Sequence, residues 1–522
     1  MTPLSRFRVP RLGAALLALA VPAALHAQLV RTGTARPLPL SLSEALALGA
    51  GGSEAVALAR AGVERAEGQQ RQARSAQLPQ LSSSLAWQKQ LQNQFAEVAR
   101  RAARTTGGGT GSAPASGGTD SSGGGDANSA FTRIFASEYN LNAGLVASQP
   151  LFTGGRGRAG VAAARAGRQA AEVGVTAAEA QAQLDVTAAY YDALLADRLV
   201  TIAESTLVQA ERTLRQVQLT RSVGSASEFE LLRARVTRDN QRPGWLQART
   251  ARELAYVRLR QLLNLPPAQA VQLTDSIVEV PASASAPAAP AALPATVAVA
   301  PAEVLALDPR VTQAVAARLG TADTVVARRA PVQQAQLGVE VAQQQLRAVR
   351  GQRYPQLAAT STYQRFAYPT QILPRSLGDF FPNWTVGVGV SWPLFSGGRL
   401  RGEIQAAEAG VVEARQRLRQ AEEGADLDTR QAVLQLAEAE AAWLASVGTA
   451  EQAQRAYEIA DIRFAEGIST QLELSEIRVQ WQQALANRAR AARDLQVART
   501  RLALLPALPL GAGSTLTSGS PR

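Results

Sequence analysis

The chain has 522 residues and a formal net charge of +12; 46% of it is hydrophobic, only 5% aromatic, and none of it cysteine. Without cysteine there are no disulfides, thiolate metal sites or acylated N-terminal cysteine, and the one histidine, His26, falls in a segment expected to be removed, so zinc, haem and Ser-His-Asp chemistry lack their usual His and Cys groups. An apolar fraction rich in alanine and poor in aromatics fits long helices packed through small side chains rather than one thick core.

Residues 1–27 read as an export signal. Arg6, Arg8 and Arg11 form its positive region, Leu12 to Leu25 its apolar region, and Leu25-His26-Ala27 its cleavage site. That apolar run is short for a bilayer span, and no later segment offers about 20 apolar residues free of charge or helix breakers. Removing the signal takes three of the 54 basic residues and none of the 42 acidic ones, leaving +9. The arginines are dispersed at helix-surface spacings without clustered aromatics, which predicts solvated helix faces and no nucleic-acid partner.

A first structural repeat is expected over 28–266. Leu42 to Ala76 has helical character, with Ser43 as a candidate N-cap and Gly49, Gly51 and Gly52 interrupting its first half. Pro79-Gln80-Leu81 ends it and opens a period of 2. Leu81, Leu85, Trp87 and Leu91 share one face; Ser82, Ser84, Ala86, Gln88 and Gln90 share the other. Lys89 interrupts the apolar side, near a strand end. Residues 105–130 are Gly/Ser/Thr/Ala-rich and have loop composition. Alternation resumes with Tyr139, Leu141, Ala143, Leu145 and Ala147 on one side, and Asn140, Asn142, Gly144 and Ser148 on the other.

At Pro150-Leu151-Phe152-Thr153-Gly154-Gly155-Arg156 the hydrophobic period changes from 2 to about 3.6. This is a strand-to-helix joint, where Pro150 is expected to end the strand and Gly154 and Gly155 to permit the bend. The helical pattern runs to about Ser222 and turns at Val223-Gly224-Ser225. It returns, capped by Ser225 or Ser227, to about Leu263. Residues 267–300, Pro/Ala-rich from Pro281, are expected to link the halves.

The second repeat, 301–509, gives the same order before a flexible tail at 510–522. Pro355-Gln356-Leu357 answers Pro79-Gln80-Leu81 at an offset of 276, and Pro393-Leu394-Phe395-Ser396-Gly397-Gly398-Arg399 answers the first joint at 243. The offset stays 243 at Gly467 against Gly224, so the difference of 33 is the loop inserted between the first strand pair. Trp384, Val386, Val388, Val390 and Trp392 form an apolar face with aromatics at both ends, backed by Thr385, Gly387, Gly389 and Ser391, the pattern of a membrane strand. Leu436, Trp443, Ala450, Tyr457 and Phe464 recur every seven residues, a helix-packing stripe; their counterparts are Ala193, Val200, Leu207, Leu214 and Arg221.

Four such strands cannot close a membrane barrel, and open strand edges are not tolerated in lipid. Subunits must therefore share one barrel: three would supply twelve strands, two only eight. The order helix, Pro-Gln-Leu, strand pair, Pro-Leu-Phe-Ser/Thr-Gly-Gly, long helical hairpin, given twice from about Leu40 to Leu508, resembles the TolC-like outer-membrane efflux protein family. The resemblance implies an α+β membrane protein. Its four β-strands per chain would contribute to a trimeric 12-stranded outer-membrane β-barrel, continued by a long periplasmic α-helical barrel. It implies a homotrimer in outer-membrane lipid, partnered by a periplasmic adaptor and an inner-membrane pump or secretion ATPase. It also implies a passive exit duct that is not an enzyme and needs no cofactor. The chain has no Gly-rich nucleotide-binding Lys motif. The rival reading is a periplasmic coiled-coil adaptor or scaffold without a barrel.

By the same resemblance, the acidic residues six and nine positions after the tip glycine line a closed aperture. Here these are Glu473 and Glu476 after Gly467, and Glu230 and Arg233 after Gly224. Glu473 and Glu476 are three apart and share a helix face. Threefold symmetry would place six carboxylates round the opening, which favours cations. The family's aspartates are glutamates here. Phe464 joins the aperture candidates, and Gly224, Ser225, Gly467 and Ser469 are the expected adaptor contacts. Pro150, Gly154, Gly155, Pro393, Gly397 and Gly398 mark the two borders between membrane and periplasm.

Overall fold

The computed structural model describes residues 37–91, 139–225, 227–277, 326–369 and 380–511. The expected export signal, the Gly-rich stretch 105–130, residues 281–300 of the expected linker and the end of the expected tail lie outside them. The chain runs β1 (Leu38–Leu40), α1 (Leu42–Gly52), α2 (Glu54–Ser75), β2 (Gln80–Lys89), β3 (Tyr139–Phe152), α3 (Arg156–Ser222), α4 (Glu228–Leu262) and β4 (Val271–Leu273). After a 3₁₀ turn at Val326–Arg328 come α5 (Ala330–Gly351), β5 (Gln356–Ala367), β6 (Phe380–Ser391), α6 (Arg399–Ala465) and α7 (Gln471–Leu504). Both α3 and α6 have 67 residues, rods of roughly 100 Å. Among the described residues no helix is long and apolar enough to cross a membrane.

Some local expectations need correction. The first helix is capped by Ser41, not Ser43: Ser41 Oγ accepts from the Glu44 N–H while the Glu44 carboxylate accepts from the Ser41 N–H, a reciprocal capping box. The helical run 42–76 is two helices, because Ser53 turns extended. Within the range read as linker, Val271–Leu273 forms β4, paired in parallel with β1. Asp275 then accepts from the Leu42 N–H (2.9 Å) and the Tyr190 hydroxyl (2.7 Å), tying this strand pair to α3. The strands therefore number six among the described residues, with the expected four in one sheet.

That sheet has the order β2-β3-β5-β6, all antiparallel. Its register decides which side chains share a face. Leu81, Leu85 and Trp87 lie opposite Ala147, Ala143 and Leu141. Leu145 lies opposite Tyr363, which lies opposite Trp384, and Leu357 opposite Val390. The apolar sides of all four strands thus form one surface, where Leu81, Leu85, Trp384 and Val386 are exposed. The reverse surface carries Ser82, Ser84, Asn140, Asn142, Thr360, Thr362, Gln364, Thr385 and Gly387. Leu91 and Trp392 fall just past the strand ends.

The two joints bend alike but pack differently. In each, consecutive glycines are left-handed, Gly154 at φ 62° and Gly155 at 84°, Gly397 at 59° and Gly398 at 87°. Side chains are strained in that region. Pro150 does not end β3, as expected from its missing donor. The strand continues through it to Phe152, and a bulge between Pro150 and Phe152 absorbs the lost pairing. The bulge also turns Phe152 onto the apolar surface, opposite Leu357; unbroken alternation would place it on the polar one. Pro393 does lie beyond its strand, which ends at Ser391.

The helices pack as the sevenfold stripe predicts: Leu436, Ala450 and Tyr457 are buried and Trp443 and Phe464 half-buried. In the first half Ala193 and Leu214 are buried, while Val200, Leu207 and Arg221 are half-buried. Where α5, α6 and α7 meet, Arg329 is fully buried. Its Nη2 donates to Asp428 Oδ2 (2.6 Å) and its Nη1 to the Ala425 carbonyl (3.0 Å), and Arg501 donates to Asp428 Oδ1 (2.8 Å).

Candidate aperture and membrane surface

The two helical tips farthest from the sheet hold the expected aperture residues. At the first, Gly224 (φ 81°) sends its N–H to the Arg221 carbonyl and Ser225 to that of Thr220, closing α3. Ser227, not Ser225, caps α4: its Oγ accepts from the Glu230 N–H (3.2 Å), and the Glu230 carboxylate accepts from the Ser227 N–H (3.0 Å). Glu230 is therefore exposed and engaged as a helix cap within its own chain. An exposed Arg221–Glu228 ion pair (3.7 Å) spans the turn.

At the second tip Gly467 (φ 75°) closes α6, its N–H donating to the Phe464 carbonyl, and Ile468 and Ser469 both donate to Arg463. Thr470 caps α7 through the Glu473 N–H (3.3 Å), but the reciprocal bond is missing. Glu473 is half-buried and Glu476 exposed; among the described residues neither carboxylate has an ion-pair or hydrogen-bond partner. This is the chemical difference between the tips. One acid is committed to its own helix, while the second tip keeps two free. Arg233 is half-buried and reaches neither Glu473 nor Glu476 within the chain.

Phe464, the other aperture candidate, is a half-buried packing residue within the chain. It packs against Leu214 and Val217 of α3 on one side and Tyr457 and Leu474 on the other, so it joins the two hairpins. A residue that sequence reasoning missed does the same by polarity. Arg478 is buried, and its Nη2 donates to Thr213 Oγ1 on α3 (3.1 Å) beside a void of about 10 Å³ lined by Ala210, Ala234, Thr237, Leu474 and others. Burial pushes the Tyr457 hydroxyl up, with Arg478 opposing, while its ring stacks on Trp481 at 4.7 Å. Arg478 sits among other arginines at ordinary helix spacing, so no sequence signal distinguished it. Gly224, Ser225 and Gly467 are exposed and Ser469 half-buried, which leaves the turns open to a partner. Among the described residues no group of His, Cys, Asp and Glu could hold a metal.

Known proteins share this fold. The sequence profile described as outer membrane efflux protein matches residues 50–265 and 322–507. Among solved structures, the outer membrane protein VceC from Vibrio cholerae is 18% identical with a TM-score of 0.63, covering 90% of this chain and 96% of its own. The Campylobacter jejuni CmeC outer membrane channel is 15% identical with a TM-score of 0.65, covering 91% and 88%. The open state of the Neisseria gonorrhoeae MtrE outer membrane channel is 17% identical with a TM-score of 0.64, covering 90% and 89%. No curated relative matches the chain. The chain belongs to the outer membrane efflux protein family, whose members are outer-membrane channels with a periplasmic helical portion.

Proposed function

We propose that three copies of this chain form the passive exit duct of a tripartite efflux or secretion system. Substrate would enter from a periplasmic adaptor and an inner-membrane pump or secretion ATPase. The observation that carries this is a set of contacts present once in the chain and missing at its flanks. The first half is held to the second by β3 on β5, α3 on α5 and α3 on α7. By the internal repeat, β6 should likewise pair with a β2, and α6 pack on an α2 and an α4, and among the described residues no such pairing or packing is made within the chain. The edge strands β2 and β6 run antiparallel, so the free edge of one copy fits the opposite edge of the next. Helix α4 exposes Phe229, Leu232, Val236 and Leu246, and α6 exposes Leu427, Leu434 and Leu444, apolar stripes awaiting the same closure.

Closure puts the apolar sheet surface in lipid and the small polar one round a lumen. An eight-stranded barrel would be filled by its own side chains; twelve strands leave a passage. At the far end three copies would bring Glu473 and Glu476 together as six carboxylates, a cation-preferring constriction. Heat-resistant trimers in the outer-membrane fraction test the assembly; a soluble or inner-membrane protein would defeat it. Glu473→Ala with Glu476→Ala is expected to raise the conductance of the reconstituted pore and lower its cation preference. Unchanged conductance and selectivity would remove both residues from the aperture.

A further inference from the structure

Two cations interrupt the apolar surface of the sheet. Arg365 is level with Ala143 and Pro382, and Lys89 is level with Tyr139, all on the side that carries Leu81, Leu85 and Trp384. Lys89 is the only lysine in the sequence. Both cations are exposed, and among the described residues neither meets a carboxylate. Instead Lys89 Nζ lies 5.5 Å from the centre of the Tyr139 ring, and Arg365 Nε donates to the Tyr363 hydroxyl at 2.9 Å.

Their height on the sheet is informative. Arg365 stands eight residues beyond Leu357, roughly 26 Å along the strand and about 20 Å of barrel height at the usual tilt. That is near the outer border of an apolar band about 25 Å tall, where a cation costs little, whereas at the midplane it would cost several kcal/mol. Immediately inward of Arg365 the same surface is indented by an open groove of about 360 Å³, lined by Leu81, Leu145, Ala147, Ser361, Tyr363 and Trp384. The Trp384 indole N–H donates to Ser361 Oγ (3.0 Å) within the lining itself, which leaves the groove predominantly apolar. An apolar groove with Arg365 just outward of it and Lys89 four residues further out, neither paired with a carboxylate among the described residues, has the polarity of an anionic lipid: acyl chain below, phosphates above.

We propose that Arg365, Lys89 and this groove bind a phosphorylated, multiply acylated lipid of the outer leaflet. Phosphate oxygens would accept from the guanidinium and the ammonium, and an acyl chain would lie against Trp384 and Tyr363. This rests on the barrel reading, which makes the apolar surface the lipid-facing one.

The test uses the full-length protein in phosphatidylcholine vesicles, alone or with diphosphoryl lipid A, or with lipid A stripped of its phosphates. Three readouts come from the same samples: vesicle insertion, lipid retained after delipidation by native mass spectrometry, and amine-reactive labelling of the peptide that holds Lys89. Diphosphoryl lipid A is expected to be retained and to slow Lys89 labelling about tenfold, a difference of about 1.4 kcal/mol, while the stripped form does neither. Arg365→Gln with Lys89→Gln should lose retention by a similar factor, and Trp384→Ala should weaken both forms, with insertion unchanged in each. Equal retention of the two lipid A forms, or full retention by the double variant, would overturn the lipid site and leave the barrel standing. A chain that fails to insert at all would overturn the barrel reading and this site with it.

Discussion

Ser53 and Arg329 hold the same place in the two halves, each the N-cap of the helix leading into a strand pair. Their surroundings have diverged. Arg329 is fully buried against Asp428, which also receives Arg501. The residues matching Asp428 and Arg501 in the first half are Asp185 and Arg258. There Ser53 brings no second guanidinium, and Asp185 accepts from Gln181 at 2.9 Å instead. Burial lifts the Asp185 carboxyl above the ordinary carboxylate range, with Gln181 and Arg258 opposing. The comparison teaches where a duplicated chain is free. Equal helix lengths and the glycine joints are retained, because they set the length of the rods and the bend between sheet and helices. Buried polar groups can change so long as each half satisfies its own.

The largest expected effect separates the joints. A Cβ on Gly154 would stand 2.2 Å from the Gly351 carbonyl oxygen, whereas one on Gly397 meets nothing within 4 Å in the chain. Gly154→Val should therefore abolish the heat-resistant oligomer, while Gly397→Val should cost mainly its left-handed strain, about 1–2 kcal/mol. Equal losses, measured by oligomer yield and thermal melting in detergent, would show that Gly397 is enclosed by the neighbouring copy as Gly154 is by Gly351.

Next comes the buried ion cluster. Asp428→Asn leaves Arg329 and Arg501 without their counter-charge and should cost about 3–5 kcal/mol. Asp185→Asn should have the opposite sign. A carboxyl whose folded pKa lies above its unfolded value is destabilising when ionised, so the Asn variant should melt higher near pH 8. The wild type gains on it as pH falls through the raised pKa, and the two curves converge below the unfolded one. Parallel curves would place Asp185 outside any pH-dependent balance.

The smallest effect compares the tips. Ser227→Ala removes one side of a reciprocal box and should cost about 1 kcal/mol. Thr470→Ala, which removes a single cap bond, should cost less. Hydrogen exchange at the Glu230 and Glu473 amides would rank them, and a larger opening at Glu473 would reverse the comparison.

Much of this architecture was legible in the sequence, for a local reason. The pleat gives a strand a period of 2 and the helix gives 3.6, so alternation at Tyr139 to Ala147 and at Trp384 to Val390 announced both the strands and their faces. The glycine pairs marked the joints because left-handed backbone excludes most side chains. The repeat itself exposed the missing flank contacts. The candidate site was less legible. Glu473 and Glu476 were reached by resemblance; only the hydrogen bonds showed that Glu230 is a cap, whereas the sevenfold stripe had already marked Phe464 as a packing residue.

By itself the sequence determined the duplication, the two-faced strands, the length of the helical hairpins and the place of the tips. Tertiary structure alone decided that the bulge after Pro150 carries Phe152 to the apolar surface. It also decided that Arg329 meets Asp428 across 99 residues, that Arg478 reaches Thr213 across 265, and that Arg365 crowns a groove. Periodicity is a property of one segment, set by its own backbone. Register and burial arise only when distant segments are brought together, and no local pattern encodes which charge will find itself enclosed.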